Sequence, residues 1–302
     1  MKRVLVTGAA GFIGRHALAP LLARGYEVHG VSHGGSKPAG ANVHWHGADL
    51  LDSAAIESLI EAVRPTHLLH FAWHTRPGTF WTAPENYRWL ESGIALLRHF
   101  QRSGGARIVM AGSCAEYEWD GAVSAEGSTP LRPATPYGFC KHALQQTLRS
   151  FCDLHGLSGA WGRIFFVYGH GEHPTRLVGS AVASMLRGEP ARCTDGLQVR
   201  DFLHVEDVAN AFAALLDGRV EGAVNIASGK AVTLREVVLA AADELGTPGL
   251  VQFGAIPRPP SEPPFLVADV RRLEEDVGFS PRYDLRSGMA RAVGQWKAER
   301  AG

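Results

Sequence analysis

Tyr137 and Lys141 stand four residues apart in the stretch Pro-Tyr-Gly-Phe-Cys-Lys. On a helix that spacing puts both side chains on one face. An ammonium beside a phenol favours the phenolate and lowers a pKa of about 10, so the expectation is a tyrosine that exchanges a proton near neutral pH. Ser113 closes the apolar run ARIVMAGS, and a hydroxyl at such a strand end can hold a substrate oxygen against the tyrosine. The three residues together describe proton transfer to or from that oxygen.

The first apolar run passes directly into Thr7-Gly8-Ala9-Ala10-Gly11-Phe12-Ile13-Gly14 and then into a helical pattern. Glycines at 8, 11 and 14 permit a tight turn and close approach of backbone N–H groups to a pyrophosphate, and the helix N-terminus favours the anion. Strand, loop and helix in that order predict a dinucleotide site. In an NAD site a carboxylate at the end of the second strand would take the ribose hydroxyls, whereas this chain has Ser32 and His33 there. Arg15, His33 and Lys37 are near enough in sequence to meet a 2′-phosphate, which favours NADP(H). NAD(H) is the alternative, with Ser32 on the ribose and the cations solvated. Asp49 suits an adenine-side contact, although helix capping by Asp52 or Ser53 is the structural reading of that stretch. With the loop residues Phe12 and Ile13, the positions Leu50, Phe71 and Ala72 complete the expected cofactor-facing set, which Tyr137 and Lys141 join.

The elements that must position these residues are legible as an alternation. RVLVTG, YEVHGV, VHWHG, HLLHFA, ARIVMAG and GAWGRIFFVYG read as short buried strands. Between most of them run segments with apolar residues at i, i+3 and i+4, such as FIGRHALAPLLARG and SAAIESLIEAVR. Parallel crossovers need connections of helix length, so the fold class is α/β, a doubly wound parallel Rossmann sheet. It is expected over 1–166. From 167 to 302 turns and prolines increase, as in GAIPRPPSEPPF, which predicts a smaller, loop-rich C-terminal substrate lobe. Core-like runs near 199–227 and 265–272 are expected to return to the first unit.

The 302 residues carry 30 basic and 30 acidic side chains. Zero net charge argues against non-specific binding to nucleic acid or an anionic membrane. MKRVLVTGAAGF lacks the apolar core of a signal peptide and no apolar run reaches about 18 residues, so a cytoplasmic protein is expected. Cys114, Cys140, Cys152 and Cys193 show neither pairing nor regular spacing, which points to free thiols. His44, His46, His67, His70 and His74 share no ligand spacing on one helix face, and no metal site is expected.

The loop TGAAGFIG, the strand end AGSCAEY, the helix start PYGFCK and the blocks VYG, RDFLHVEDVA, NIASG and ADVRRL occur in order along nearly the whole chain. Together they resemble the extended short-chain dehydrogenase/reductase family, most of whose members act on nucleotide-activated sugars. The resemblance implies Ser113, Tyr137 and Lys141 as the catalytic triad, with Tyr137 as acid/base and Lys141 on the nicotinamide ribose. It makes Arg200 and Arg258 the partners of a nucleotide-sugar diphosphate, a task that suits guanidinium groups. A structural ion pair between Arg200 and Asp201 is the other reading. Glu262 lies near a position where the family often has an acidic ribose contact. The resemblance also implies a homodimer built on the helices around 84–103 and 137–154.

Departures from the family pattern narrow the chemistry. Ser113-Cys114-Ala115 stands where dehydratases have Thr-Asp-Glu, so the acid for elimination is missing. Phe166 replaces a frequent Asn, making the pocket less polar. Trp73 and Thr75, in a loop bulkier than the family's usual small residues, are expected to face nicotinamide and sugar, with core packing the other reading for Trp73. The leading expectation is NADPH-dependent reduction of the C4 ketone of a nucleotide-linked 6-deoxy-4-keto hexose. An NAD-dependent nucleotide-sugar 4-epimerase is the alternative, and a non-catalytic dinucleotide sensor is the reading from another class.

Overall fold

The computed structural model describes residues 2–33, 42–259 and 262–301. The chain opens with β1 (Arg3–Thr7), α1 (Gly14–Ala23), β2 (Glu27–Ser32), β3 (Val43–Gly47), α2 (Ser53–Val63) and β4 (His67–His70). α3 (Glu85–Arg102), β5 (Arg107–Ser113), β6 (Val123–Ser124), α4 (Pro136–His155) and β7 (Ser158–Ile164) follow. Next come β8 (Phe166–Tyr168), α5 (Leu177–Leu186), β9 (Ala191–Arg192), β10 (Val199–His204), α6 (Val205–Asp217) and β11 (Gly222–Ile226). The chain ends with β12 (Ala231–Thr233), α7 (Leu234–Leu245), β13 (Val251–Gln252), β14 (Phe265–Ala268) and α8 (Leu285–Ala301).

Seven strands form one parallel sheet in the order β11-β7-β5-β4-β1-β2-β3. Val4, Leu5 and Val6 of β1 are fully buried because helices cover both faces, which is why β1 reads as a continuous apolar run. One face packs with α1 and α6, where Leu18, Leu21, Phe212 and Leu216 meet Val4 and Val6. The other packs with α2, α3 and α4, where Ile56, Ile60, Leu97 and Leu144 meet Leu5 and Leu68. Strand order reverses between β1 and β4, the point at whose carboxyl ends open α/β sheets form their ligand crevice.

A smaller sheet, β12-β10-β14-β6 with β8 beside β10, and the pair β13-β9 sit with α5, α7 and α8 around a third core containing Val182, Met185, Val238 and Met289. The run GAWGRIFFVYG splits at Phe165: β7 stays in the large sheet and β8 joins the small one. Of the segment near 199–227, β10 belongs to the small sheet, while α6 and β11 join the large layer. β14, in the segment near 265–272, pairs with β10 and β6 rather than with the large sheet. Apolar patterning reports that a segment is buried, not which sheet buries it. Among the described residues, no helix is long and apolar enough to cross a membrane.

Candidate active site

The glycine loop sits at the strand-order reversal. Gly8 has φ +65°, a conformation that disfavours any side chain, and a Cβ on Gly14 would overlap the Gly8 carbonyl. α1 begins at Gly14 with no side-chain cap, so its first-turn N–H groups are not bound by a side chain at Ile13. Those features fit a pyrophosphate. Thr7 Oγ1 lies 2.7 Å from His70 Nδ1 and accepts from Ala72 N at 3.3 Å, tying β4 to the base of the loop. Burial pushes His70 down to about 3, so its ring is neutral. Phe71 turns its ring onto Phe212, with centroids 4.9 Å apart.

Arg15 bends back on the loop, donating to the carbonyls of Gly11 and Ala10 at 3.2 and 2.9 Å. His33 is exposed, Ser32 is buried at the end of β2, and Lys37 lies outside the described residues. Asp49 accepts from Leu51 N at 2.9 Å beside the buried Leu50, and Asp52 caps α2 through Ala54 N.

Tyr137, Lys141 and Ser113 come together on one side of the crevice. Thr135 caps α4 and Pro136 occupies its first turn, which places Tyr137 at the helix start. A Cβ on Gly138 would overlap the Ala115 carbonyl, so α4 packs directly on the turn that follows Ser113. Ser113 lies close enough to the phenol to lower its pKa. The turn is a capping box: Ala115 N donates to Ser113 Oγ, and Ser113 N donates to Glu116 Oε1 at 2.8 Å. Glu116, wholly buried, also accepts from Trp161 Nε1 and Arg163 Nε, each at 2.8 Å.

Lys141 does not act on Tyr137 as its spacing predicts. Its Nζ donates to the Ala111 carbonyl at 2.8 Å and sits 3.7 Å from the Trp73 ring centroid, against 6.0 Å to that of Tyr137. Burial pulls the ammonium down to about 7. Burial likewise pushes the Tyr137 phenol up to about 12, with Ser113 opposing the rise. Desolvation therefore outweighs the helical pairing in the protein alone, because both groups lie under aromatic rings. Phe80 and Trp81 stand edge-on to Tyr137 at 4.9 and 5.6 Å, and Tyr137 N donates to the Trp81 carbonyl.

Trp73 is buried in the core, the structural reading made from sequence, with the Lys141 ammonium against its ring. Its Nε1 donates to Asn86 Oδ1 at 2.8 Å, and Asn86 Nδ2 donates to the carbonyls of Phe80 and Ala83. Sequence reasoning missed Asn86, and no spacing signals it. It also missed Glu116, which the spacing Ser113-x-x-Glu116 could have disclosed. Thr75 is exposed in the loop after Trp73. Cys114 is buried, and its thiol is pushed up to about 12 by burial.

In the second lobe Arg200 pairs with Glu262, not with its neighbour Asp201. Its Nη2 donates to Glu262 Oε1 at 3.1 Å, and its guanidinium lies 5.3 Å from the Phe166 ring centroid. Asp201 instead accepts from the backbone of Ser228, Gly229 and Ala268. Arg258 Nη2 donates to the Glu262 carbonyl at 3.4 Å. Glu262 and Gln198 line a cleft of about 290 Å³, together with Ser180, Ser184, Thr194 and Ile256.

The chain as a whole is similar to known proteins over nearly its full length. The model of the NAD dependent epimerase/dehydratase family matches residues 4–227. The chain belongs to that family. The UDP-glucose 4-epimerase of Azospirillum brasilense is 28% identical over 98% of this chain and 92% of its own. The Thermus thermophilus UDP-glucose 4-epimerase, solved in complex with NAD, is 28% identical with a TM-score of 0.85, covering 98% of this chain and 99% of that one. MoeE5, solved with UDP-glucuronic acid and NAD, is 30% identical with a TM-score of 0.85, again over 98% and 99%. In the turn after Ser113 stands Cys114, a buried thiol that burial holds protonated.

Proposed function

We propose that this protein is an NAD-dependent 4-epimerase of a UDP-linked hexose. The observation that carries the reading is the Ser113–Tyr137 pair set beside a turn whose one carboxylate, Glu116, is wholly buried and committed to Ser113 N, Trp161 and Arg163 rather than free to eliminate water. Oxidation and reduction at one carbon then remain as the chemistry the site supports. The relatives are named UDP-glucose 4-epimerases, and one is solved with NAD, which supports NAD over the NADP preference expected from sequence. Arg15, committed to loop carbonyls, weakens the case for a 2′-phosphate cradle.

When bound, the nicotinamide supplies reversible oxidation and reduction at the sugar carbon. Gly8, Gly11 and the start of α1 hold the pyrophosphate, and Lys141 faces the nicotinamide ribose. Tyr137 donates its proton to the oxygen at C4 as the ketone is reduced, and accepts it back in the other direction. Ser113 fixes that oxygen against the phenol. Oxidation requires Tyr137 to give up its proton, and Ser113 opposes the rise that burial imposes on the phenol. Arg200 and Arg258 hold the diphosphate. Gln198 Oε1, buried in the cleft with no hydrogen-bond partner among the described residues, suits an N–H of the base.

A 4-ketoreductase acting on a deoxysugar is the second reading, favoured by the apolar surround of Tyr137 built from Trp73, Phe80 and Trp81. One experiment separates the two. Purified protein is incubated with UDP-galactose without added cofactor, the sugar is followed by NMR, and bound dinucleotide is identified after denaturation. Conversion to UDP-glucose with NAD released supports the epimerase. No conversion, with NADPH-dependent reduction of a nucleotide-linked 4-keto sugar, overturns it in favour of the reductase.

A further inference from the structure

Along β2 and the edge strand β3 of the large sheet, the period-2 alternation of the strands gathers a second cluster of polar groups. Glu27 and His29 alternate onto one face of β2, and His44 and His46 onto the same face of the edge strand β3. His29 is the cross-strand partner of His44, and their rings stack with centroids 4.9 Å apart and planes 25° from parallel. His29 Nε2 lies 3.0 Å from Glu27 Oε1, and His29 Nδ1 lies 2.9 Å from His46 Nε2. One ligand atom each from Glu27, His29 and His44 fall within 4.8 Å of one another.

We propose that Glu27, His29 and His44 form a binding site for a divalent transition-metal cation such as zinc. Two imidazoles and one carboxylate are a ligand set that zinc uses, and imidazole selects such ions over magnesium or calcium, which take oxygen. The surrounding groups serve the ligands. His29 turns its other nitrogen to His46, and Arg3 Nε donates to Glu27 Oε2 at 3.1 Å, leaving Oε1 for the metal. Outer contacts of this kind fix ring orientation and tautomer at metal sites. Ligands about 2.0 Å from a tetrahedral ion lie about 3.3 Å apart, and exposed His44 closes the remaining distance by side-chain rotation.

The site stands apart from the proposed chemistry. β5, which ends at Ser113, is three strands away from β2 in the sheet, a lateral separation of about 14 Å at about 4.8 Å per strand. A metal here clips the edge strand β3 to β2. The histidines escape a search for helix-face spacing because strand register, not helical period, brings them together.

The test is titration of tag-free, chelator-treated full-length protein with Co²⁺, read by its visible absorption, followed by displacement with Zn²⁺. The expected result is one Co²⁺ per chain with the bands of a low-coordinate site, and a raised melting temperature with Zn²⁺. H44Q, at an exposed position that the fold tolerates, is expected to weaken binding about 100-fold, and H46Q about 10-fold through the lost contact to His29. H155Q, distant on α4, is expected to bind like the unaltered protein. Absence of stoichiometric binding, or binding unchanged in both H44Q and H29Q, would overturn the proposal. Turnover of UDP-galactose is expected to be the same with and without chelator.

Discussion

At the scale of single residues, desolvation sets the protonation states of the candidate catalytic pair. Tyr137 is held as a phenol, pushed up to about 12, so its proton is available to a developing alkoxide. Replacing Tyr137 with Phe removes that proton while keeping the ring against Phe80 and Trp81. Turnover of UDP-galactose is expected to fall by about 10²–10⁴, with bound dinucleotide retained, as steady-state kinetics and release assays would show. Lys141 gives a signed prediction for stability. Its value falls from 10.5 to about 7 on folding, so between those pH values the unfolded chain binds a proton that the folded chain has released. Stability therefore rises with pH through that window, and the burial penalty is present in full below pH 7. Lys141→Met is expected to abolish turnover yet raise the melting temperature of the cofactor-free protein by about 2 °C or more at pH 6.5. The gain should shrink at pH 9, and calorimetry at the two pH values checks the sign.

At the scale of elements, buried polar ties hold the turn after β5 and the loop before α3. Glu116 binds Ser113 N, Trp161 and Arg163 at once, and Arg163 is 1% exposed. Glu116→Ala strands a buried guanidinium, and an expected loss of about 3–5 kcal/mol would be read from denaturant unfolding. Asn86 joins the Trp73 indole to the backbone of Phe80 and Ala83, residues that bracket the loop over Tyr137. Asn86→Ala leaves the Trp73 N–H without its partner, and the expected outcome is a lowered kcat with a loss of about 1–3 kcal/mol in stability. Gel-filtration elution and intrinsic tryptophan fluorescence would separate this local loosening from global unfolding.

At the scale of the whole molecule, the outer faces of α3 and α4 carry apolar side chains that the chain itself does not cover. Tyr87 is 51% and Phe139 54% exposed. A second copy docking there would bury both, in keeping with the homodimer that the family resemblance implies. Sedimentation of the unaltered protein is expected to give a dimer, and Phe139→Glu a monomer. A monomeric sedimentation coefficient for the unaltered protein at micromolar concentration would remove this reading.

The sequence by itself determined what local backbone dictates. Glycines 8 and 14, the apolar run of β1 and the Pro-Tyr-x-x-x-Lys start of α4 each act through neighbours a few residues away, so the glycine turn before α1, the Rossmann layering and the placing of Tyr137 and Lys141 on one helix are legible in the order of residues alone. Only the tertiary structure decided where side chains from distant segments meet. Arg200 pairs with Glu262 across 62 residues, and Trp73 rather than Tyr137 takes the Lys141 ammonium. The registry of β2 with β3 likewise gathers histidines that share no helical spacing. The reason is physical: spacing along a chain fixes direction within one element, whereas burial, partner choice and protonation depend on what the other elements bring against it.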